Sequence, residues 1–423
     1  MNQEHYKKYI EILKEELVPA MGCTEPIALA YCGAIAKKVL GSMPTSIKVR
    51  VSGNILKNVK SVIVPNTNGQ KGIEAAVAAG VVCGNADLKL EVISQVSDEK
   101  KQQLDQYLKT VDIEVESVKS DEVLDIRVYV KDDQHNAYVR IAREHSLVCE
   151  VIKDDEVLYH HSLSHMDEEK QKDRSFMSVE EIVEFADCVQ ITEVKDILER
   201  QIEYNLAIAK EGFNHNYGAN IGKVLLKHYG NDVKTKARAY AASGSDARMS
   251  GCEMPVIINS GSGNQGMTAS LPVIVYAQEL QVSHEKLLRA LVISNLITIH
   301  LKTGIGRLSA YCGVVSAGAG AGSGIAYLHG GDFRAIAHTI VNALAIVSGM
   351  ICDGAKPSCA GKIASSVDAG ILGYKMYIEG QQFYGGDGII SKGVENTIRN
   401  IGRLGSDGMK ETDEEIIRIM LNC

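Results

Sequence analysis

The run Gly313-Val-Val-Ser-Ala-Gly-Ala-Gly-Ala-Gly-Ser-Gly324 (GVVSAGAGAGSG) is rich in glycine, alanine and serine. Glycine-rich runs also form phosphate-binding loops, but this one lacks both the GxxxxGK[ST] spacing and the strand-led GxGxxG spacing of such loops. Residues this small let the backbones of two helices approach each other closely. We therefore predict a buried, closely packed helix across 313–324 rather than a loop.

The sequence on either side continues the helical pattern. Ser178-Val-Glu-Glu is an N-cap box, and the segments that follow it to the end of the chain are rich in Ala, Gly, Ile and Leu. We predict that 176–423 form an all-helical domain. Residues 1–44, with two helices joined near 18–22, are expected to pack on it, and 162–175 (SLSHMDEEKQKDRS) form a charged linker.

The sequence pattern of residues 45–161 predicts an α/β domain. Short alternating or β-branched segments predict strands, and KGIEAAVAAGVV (71–82) predicts a helix among them. The predicted strands are SIKVRVS (46–52), KSVIVPN (60–66), LKLEVIS (88–94), DIEVESV (112–118), DIRVYVK (125–131), AYVRIAR (137–143), LVCEVIK (147–153) and EVLYHHS (156–162). The last four indicate an antiparallel meander. The predicted fold class is therefore α+β, an all-helical domain with a smaller inserted α/β domain.

Composition argues against two classes of function. The formal net charge of −8, with no Trp and only 5 Phe, argues against nucleic-acid binding. No apolar stretch approaches the ~18 residues of a membrane span, and MNQEHYKKYIEILKEEL is a polar amphipathic helix rather than a signal peptide. In a large chain without a signal, 10 cysteines indicate thiols or metal ligands. We expect a cytoplasmic protein with neither nucleic-acid nor membrane partners.

Cys23 lies in the stretch MGCTEPIALA (21–30), immediately before an apolar helix. Thr24, Glu25 and Pro26 form a helix-start signature. The free N–H groups and the dipole at a helix N-terminus favour a thiolate, which makes Cys23 a candidate base or nucleophile near neutral pH. The alternative is a small buried hydrophobe, and the stretch alone leaves both open.

Three further cysteines differ in context from the rest. Cys352 and Cys359 open and close CDGAKPSC, and Cys312 follows RLSAY. Zinc sites have tighter paired spacings and four ligands, whereas three cysteines fit an iron–sulfur cluster with one iron left open for substrate. Ordinary buried thiols are the alternative. We expect a core role for the cysteines that lack a partner motif: Cys32, Cys83, Cys149, Cys188 and Cys252.

A polar loop, NSGSGNQG (259–266), precedes another predicted helix. Its candidate binding residues are Ser260, Ser262, Asn264 and Gln265, because backbone N–H groups in such a turn cradle a phosphate or a carboxylate. Pyridoxal-phosphate dehydratases have a similar loop, but they need a Schiff-base lysine and a strand before the loop. The helical surroundings here favour a carboxylate cradle.

Four motifs together carry a family resemblance: GCTEPIALA, GSGNQG, AYCGVVSAGAGAG and CDGAKPSCAGK. Over nearly its full length the chain resembles the L-cysteine desulfidase family, relatives of the iron–sulfur L-serine dehydratases. The resemblance implies a 4Fe–4S cluster held by Cys312, Cys352 and Cys359, with Cys23 as the catalytic thiol. It makes the all-helical domain the catalytic domain.

The implied reaction is β-elimination of L-cysteine to sulfide, ammonia and pyruvate, with Cys23 as general base. L-serine dehydratase is the close alternative, because the two substrates differ by one atom. An iron–sulfur sensor without catalytic activity is an alternative of another class. The expected partner is a small amino-acid substrate, and we expect a homo-oligomer.

The chain ends in RIMLNC, with Cys423 as its last residue. A terminal cysteine carries a thiol and an α-carboxylate, the two groups that the substrate also presents. One hypothesis is therefore that the tail enters the active site as a ligand that substrate displaces. The alternative is a frayed terminus with an idle thiol.

Overall fold

The computed structural model describes residues 1–163, 174–306 and 308–421, and within them the chain combines many helices with one six-stranded and one two-stranded sheet. The α+β class is confirmed in this form. The domain boundaries proposed from the sequence stay predictions. Most of the predicted linker at 162–175, together with the terminal Cys423, lies outside the described residues.

The helices, labelled in chain order, span α1 Gln3–Glu16, α2 Thr24–Leu40, α3 Gly53–Val59, α4 Gly72–Cys83, α5 Asp98–Thr110, α6 Val179–Cys188, α7 Lys195–Asn214, α8 Ile221–Tyr229, α9 Val233–Met249, α10 Gly263–Glu279, α11 His284–Ile305, α12 Gly313–Leu328, α13 Phe333–Val347, α14 Cys359–Ile378, α15 Val394–Arg403 and α16 Lys410–Leu421. Across the described ranges, none of these helices is both long enough and apolar enough to span a bilayer.

The strands span β1 Pro19–Met21, β2 Ser46–Val51, β3 Asp112–Ser117, β4 Asp125–Lys131, β5 Asn136–Ala142, β6 Val148–Lys153, β7 Glu156–His160 and β8 Pro255–Ile257. The six-stranded sheet has the order β3-β2-β4-β5-β6-β7, in which β3 is parallel to β2 and every other pairing is antiparallel. The predicted meander of the last four strands is confirmed. One face of the sheet packs against α2, while β1 pairs with β8.

Two of the predicted strands are wrong. KSVIVPN makes only an isolated bridge from Ile63 to Lys71, because Pro65 and a turn with positive φ at Asn66 and Asn68 end the extended run. LKLEVIS begins as a 3₁₀ turn across Ala86–Glu91. Its apolar side chains are buried beside α2 instead of joining a ladder.

The helix predicted at 313–324 is confirmed as part of α12. A Cβ added at Gly318 would lie 2.3 Å from the carbonyl oxygen of Ser366, and one at Gly322 would lie 2.5 Å from that of Gly370. Both contacts are with α14, so the glycines are what allow these two helices to touch backbone to backbone. This close packing brings the starts of α12 and α14 into the same part of the molecule.

The first two helices pack on different parts of the chain. The ring of Tyr9 in α1 lies 5.0 Å from those of Phe176 and Phe185, beside the helical region where the sequence placed it. The helix α2 instead crosses α4, where a Cβ on Gly80 would lie 1.8 Å from the carbonyl oxygen of Ala30. The start of α2, at Cys23, therefore lies between the sheet and the helical region.

Candidate active site

Four helices begin close to one another without a side-chain cap. They are α2 after Cys23, α10 after Ser262, α12 after Cys312 and α14 after Ser358, and none of these four preceding residues accepts a hydrogen bond from the first turn. The first N–H groups of a helix have no partner inside it. Their positive partial charges therefore favour an anion where such ends meet.

Direct contacts hold these helix starts together. The hydroxyl of Thr24 in α2 donates to the carbonyl of Gly261, just before α10, at 3.0 Å. A Cβ on Gly313, the first residue of α12, would lie 2.6 Å from the amide carbon of Gln265. Cys23 belongs to a small buried cluster against which Cys359 packs. The arrangement brings the predicted base, the predicted cradle and the predicted ligands into one region.

The segments that carry Cys312 and Cys352 are joined through their backbones. The N–H of Cys312 donates to Met350 O at 3.1 Å, and the N–H of Cys352 donates to Ala310 O at 2.6 Å. This pairing brings the two thiols together, so that the thiol of Cys312 donates to the sulfur of Cys352. Against the effect of burial, that bond lowers the pKa of Cys352 to about 6 and helps raise the pKa of Cys312 well above its usual value.

Two lysines stabilise negative charge on these sulfurs. Lys57 is buried, and its Nζ donates to the carbonyl of Cys352 at 3.4 Å while it pairs with Asp413. Lys362 pairs with Asp353 and donates to Ile351 O at 2.9 Å. Both cations help to lower the pKa of Cys352. Arg307, the other cation that the sequence places near these cysteines, lies outside the described residues.

The three thiols match the donor chemistry of an iron–sulfur cluster. In the described part of the chain, no group of three or more His, Cys, Asp or Glu side chains is disposed to hold a single metal ion. The sulfurs of Cys312 and Cys352 are in contact, and Cys359 lies within electrostatic range of Cys352. Cysteine thiolates are the usual ligands of such clusters, and nearby cations and free N–H groups suit an anionic group.

The protonation state of Cys23 that the structure favours differs from the thiolate predicted from the sequence. Its side chain is 2% exposed, and Sγ donates to Glu25 Oε2 at 3.0 Å. Burial and the Glu25 carboxylate raise the pKa of Cys23 well above its usual value, and Arg248 opposes them only in part. Burial, together with the neighbouring carboxylate, therefore outweighs the helix start, so the structure does not favour the thiolate that the sequence predicts near neutral pH.

Glu25 links Cys23 to a histidine from the sheet. Its Oε1 accepts from Asn58 Nδ2 at 3.1 Å and lies 3.9 Å from Nε2 of His145, in the turn between β5 and β6. Burial opposes ionisation of Glu25, but its interactions with His145 and Cys23 hold its pKa at about 2. His145 is buried, and its Nε2 has no hydrogen-bond partner among the described residues. From the sequence, Glu25 was assigned only a helix-start role, and no local signal pointed to His145.

A buried arginine faces the loop before α10. Arg248, at the end of α9, is 3% exposed, and its Nε has no hydrogen-bond partner. Within the described ranges no carboxylate forms an ion pair with it. A Cβ on Gly263 would lie 2.4 Å from that Nε. A buried guanidinium without an anion is costly, so this position is suited to receive one.

The residues of the predicted cradle divide into two groups. Oδ1 of Asn264 and Oε1 of Gln265 are buried and find no hydrogen-bond partner in the part of the chain that the structure describes, so both remain available as acceptors. Ser260 instead donates to Asn259 Oδ1 at 2.9 Å, which supports the turn. Ser262 occupies the position before α10 without capping it. Arg248 was missed because its meeting with this loop is a tertiary contact.

The remaining cysteines largely follow their predicted core role. Those that are buried are Cys32, Cys83, Cys149 and Cys252, whereas Cys188, at the end of α6, is exposed and departs from the prediction.

Comparison with known proteins identifies the class to which this fold and site belong. The profile of the serine dehydratase alpha-chain family matches residues 87–418. The chain belongs to this family, whose members are typically iron–sulfur dependent and whose name indicates a dehydratase-like lyase.

Relatives of similar length extend the match to nearly the whole chain. The chain is 62% identical over 418 residues to a UPF0597 protein of Desulfitobacterium hafniense, covering 99% of this chain and 97% of the relative. It is 52% identical over 417 residues to a UPF0597 protein of Lachnoclostridium phytofermentans, with 99% and 100% covered. A UPF0597 protein of Treponema denticola is 44% identical over 427 residues, with 100% and 99% covered.

Proposed function

We propose that this protein eliminates the β-substituent of a small amino acid, with L-cysteine as substrate and sulfide, ammonia and pyruvate as products. The observation that carries the proposal is the buried Arg248, which has no anionic partner among the described residues and lies within electrostatic range of Cys23 and Cys359. The match to the serine dehydratase alpha chain supports a lyase of this kind. L-serine dehydratase is the second candidate, and the name of the matched family favours it.

Substrate binding would satisfy the polar atoms that the free protein leaves unpaired. Arg248 binds the substrate carboxylate, since a guanidinium and a carboxylate form paired, charge-assisted hydrogen bonds. The first N–H groups of α10 add donors to the same carboxylate. The free oxygens of Asn264 and Gln265 accept from the substrate ammonium. A ligand that lacks either charged group leaves buried atoms unsatisfied and is rejected.

Cys23 then removes the Cα proton of the substrate, supported by Glu25 and His145. Sγ takes the Cα proton only after its own proton has left, and His145, on the far side of Glu25, is the group that receives it. The raised pKa of Cys23 makes the deprotonated sulfur a strong base, which suits the weakly acidic Cα–H of an amino acid. Loss of that proton and of the β-sulfur as sulfide leaves aminoacrylate, which water converts to pyruvate and ammonia.

Cys312, Cys352 and Cys359 would hold the 4Fe–4S cluster. When bound, the cluster supplies an iron with an open position, which acts as a Lewis acid toward the leaving sulfur or oxygen. Lys57 and Lys362 hold the loop around Cys352 and offset the negative charge of the thiolates.

The test is turnover of anaerobically prepared, iron- and sulfide-reconstituted protein with L-cysteine and L-serine, and with the D-enantiomers as controls. Equal amounts of sulfide and pyruvate from L-cysteine are expected. A higher kcat/KM with L-serine would make L-serine the substrate and would leave the proposed elimination reaction unchanged. Absence of pyruvate from both L-amino acids with a full cluster would overturn the proposal, as would a pyridoxal absorbance band.

A further inference from the structure

The face of the six-stranded sheet that points away from α2 carries an unusual row of like charges. Strand register places Arg50 of β2 opposite Arg127 of β4, and Arg127 opposite Arg140 of β5. Like charges directly opposite one another destabilise a sheet. Such a row therefore needs counter-charges.

The counter-charges divide these arginines into two kinds. Arg50 donates from Nε to Glu116 at 2.8 Å and so has a carboxylate beside it. Arg127 and Arg140 instead share one fully buried carboxylate, that of Asp125, with Nη2 bonds of 2.7 and 2.9 Å and Nε bonds of 3.2 and 3.1 Å. Two guanidiniums thus share one buried carboxylate, and the other carboxylates near them are Glu150, opposite Arg140 in the register, and Asp121 and Glu122.

Both guanidiniums face a cavity. A space of about 390 Å³ is lined by Arg127 and Arg140 together with Lys119, Ser120, Asp121, Glu122 and Leu163. Glu122 is engaged by Arg143 through two bonds of 2.9 Å, and Ser120 donates to Asp125 at 2.6 Å. The acceptors closest to the arginines are therefore occupied. Each guanidinium uses Nε and Nη2 for Asp125, and its Nη1 remains to donate to a ligand.

We propose that this cavity is a binding site for a small oxyanion, a phosphate or a carboxylate, held by Nη1 of Arg127 and of Arg140 with Lys119 at the rim. Planar guanidiniums are well suited to such groups. The site is separate from the cluster of helix starts and contains none of the residues assigned to substrate.

The location of the cavity indicates that its ligand is an effector. Glu122 in the cavity wall holds Arg143, and Arg143 lies in the same β5–β6 turn as His145, which contacts Glu25. An anion that repositions this turn changes the support of Cys23 and therefore the turnover. This regulatory part rests on the proposed function, whereas the binding part does not.

The binding test is isothermal titration calorimetry of the reconstituted full chain with inorganic phosphate and, separately, with succinate at matched ionic strength. Binding of phosphate alone identifies a phosphate site, and binding of succinate alone identifies a carboxylate site. Arg127→Gln should weaken binding about tenfold or more, the effect of one charge-assisted hydrogen bond. The matched control, Arg50→Gln, should change it less than about twofold, because Arg50 belongs to the same row but does not line the cavity. Absence of heat with both anions, or equal loss in both variants, would overturn the site.

A measurement on the unmutated protein covers the case in which Arg127→Gln fails to fold. Phenylglyoxal modifies accessible arginines, and mass spectrometry locates the products. The bound anion should protect Arg127 and Arg140 and leave Arg50 reactive, whereas uniform labelling with and without anion would contradict the site. For the regulatory part, phosphate or succinate should change turnover in the wild type and not in Arg127→Gln. If phosphate and succinate leave the turnover of the active wild-type protein unchanged, the proposed regulation is wrong, whereas the proposed binding site is not affected.

Discussion

Capped helix starts differ from the uncapped starts that meet at the candidate site. The helices α1, α5, α6, α9, α11 and α13 each have a preceding side chain that accepts a hydrogen bond from the first turn, whereas α3, α4, α7, α8 and α15 lack one although they begin elsewhere. The capping residues are Asn2, Ser97, Ser178, Asp232, Ser283 and Asp332. The four helices that meet at the site lack such a bond, and two of them follow a cysteine.

The difference shows that capped helix starts contribute to stability, whereas the uncapped starts that meet at the site leave N–H groups for a ligand. A cap satisfies an N–H group within the chain and stabilises the helix. Where the cap is absent and several helix starts converge, the N–H groups remain available to a ligand. Arg248, beside the start of α10, follows the same rule, because in the described part of the chain it has no carboxylate partner. The proposed ligands, a thiolate-bound cluster and a carboxylate, are both anionic.

The largest effect is expected at the cysteines of the uncapped helix starts and their partner loop. Cys352→Ala should lose bound iron and all turnover, because it removes one of the three thiols proposed to hold the cluster, the one whose pKa its contacts with Cys312, Lys57 and Lys362 lower. Iron content and cluster absorbance measure this directly. The matched control is Cys83→Ala, a buried cysteine of α4, which should retain iron. Equal iron in the two variants would remove Cys352 from the ligand set.

The second prediction concerns Arg248, whose replacement should lower the activity but raise the stability of the free protein. Arg248→Met should lower kcat/KM about 10²-fold or more, since removing one partner of a buried charge pair costs about 3 kcal/mol. The same change should stabilise the free protein by about 1 kcal/mol, because an unpaired buried charge is removed. Kinetics and urea denaturation supply the two readouts.

The control variant for these opposite effects on activity and stability is Arg140→Met. It leaves Asp125, fully buried, with one arginine instead of two. We expect a loss of about 2 kcal/mol in the free energy of unfolding, as for other broken buried pairs. A destabilised Arg248→Met variant would contradict the interpretation of Arg248 as a residue reserved for a ligand.

The third effect concerns the residues that support Cys23. His145→Asn should lower kcat about 10²-fold, in the range typical of lost acid–base assistance, while iron content stays at the wild-type level. His300→Asn is the control, because His300 also faces a carboxylate, Glu395 at 2.8 Å, but lies outside the site. It should change stability and not kcat. Equal kcat in His145→Asn and wild type would exclude His145 from proton transfer.

The smallest effect compares one capped and one uncapped helix start. Ser178 accepts from the N–H of Glu181 at 3.2 Å, so Ser178→Ala should cost about 1 kcal/mol of unfolding free energy with activity unchanged. Ser262 makes no such bond, so Ser262→Ala should change stability by less than about 0.5 kcal/mol. Chemical denaturation of both variants measures the difference. An equal cost at both positions would contradict the difference between capped and uncapped helix starts.

Features that depend on neighbours along the chain were predictable from the sequence. The cap at Ser178, the buried glycine-rich helix and the meander of β4–β7 all follow from local pattern, and all are confirmed. LKLEVIS alternates like a strand, but its apolar residues pack beside a helix, which period-two alternation does not distinguish. Local periodicity identifies a buried face without identifying what buries it.

The site was predictable only in its cysteines and its loop. Their signal is residue type in a distinctive local context, as in CDGAKPSC. Arg248 and His145 reach the site through tertiary packing, so no local pattern marks them. The protonation of Cys23 was mispredicted for the same reason. The helix start is visible in the sequence, but the burial that raises the pKa of the thiol is not.

In the proposed mechanism, Cys23 moves a proton at a site whose cluster is held by other cysteines. The decisive measurement is iron content and sulfide release on one anaerobic preparation of Cys23→Ala. We expect iron and cluster absorbance equal to the wild type, with no sulfide or pyruvate released from L-cysteine. Loss of iron, or turnover retained at the wild-type rate, would contradict it.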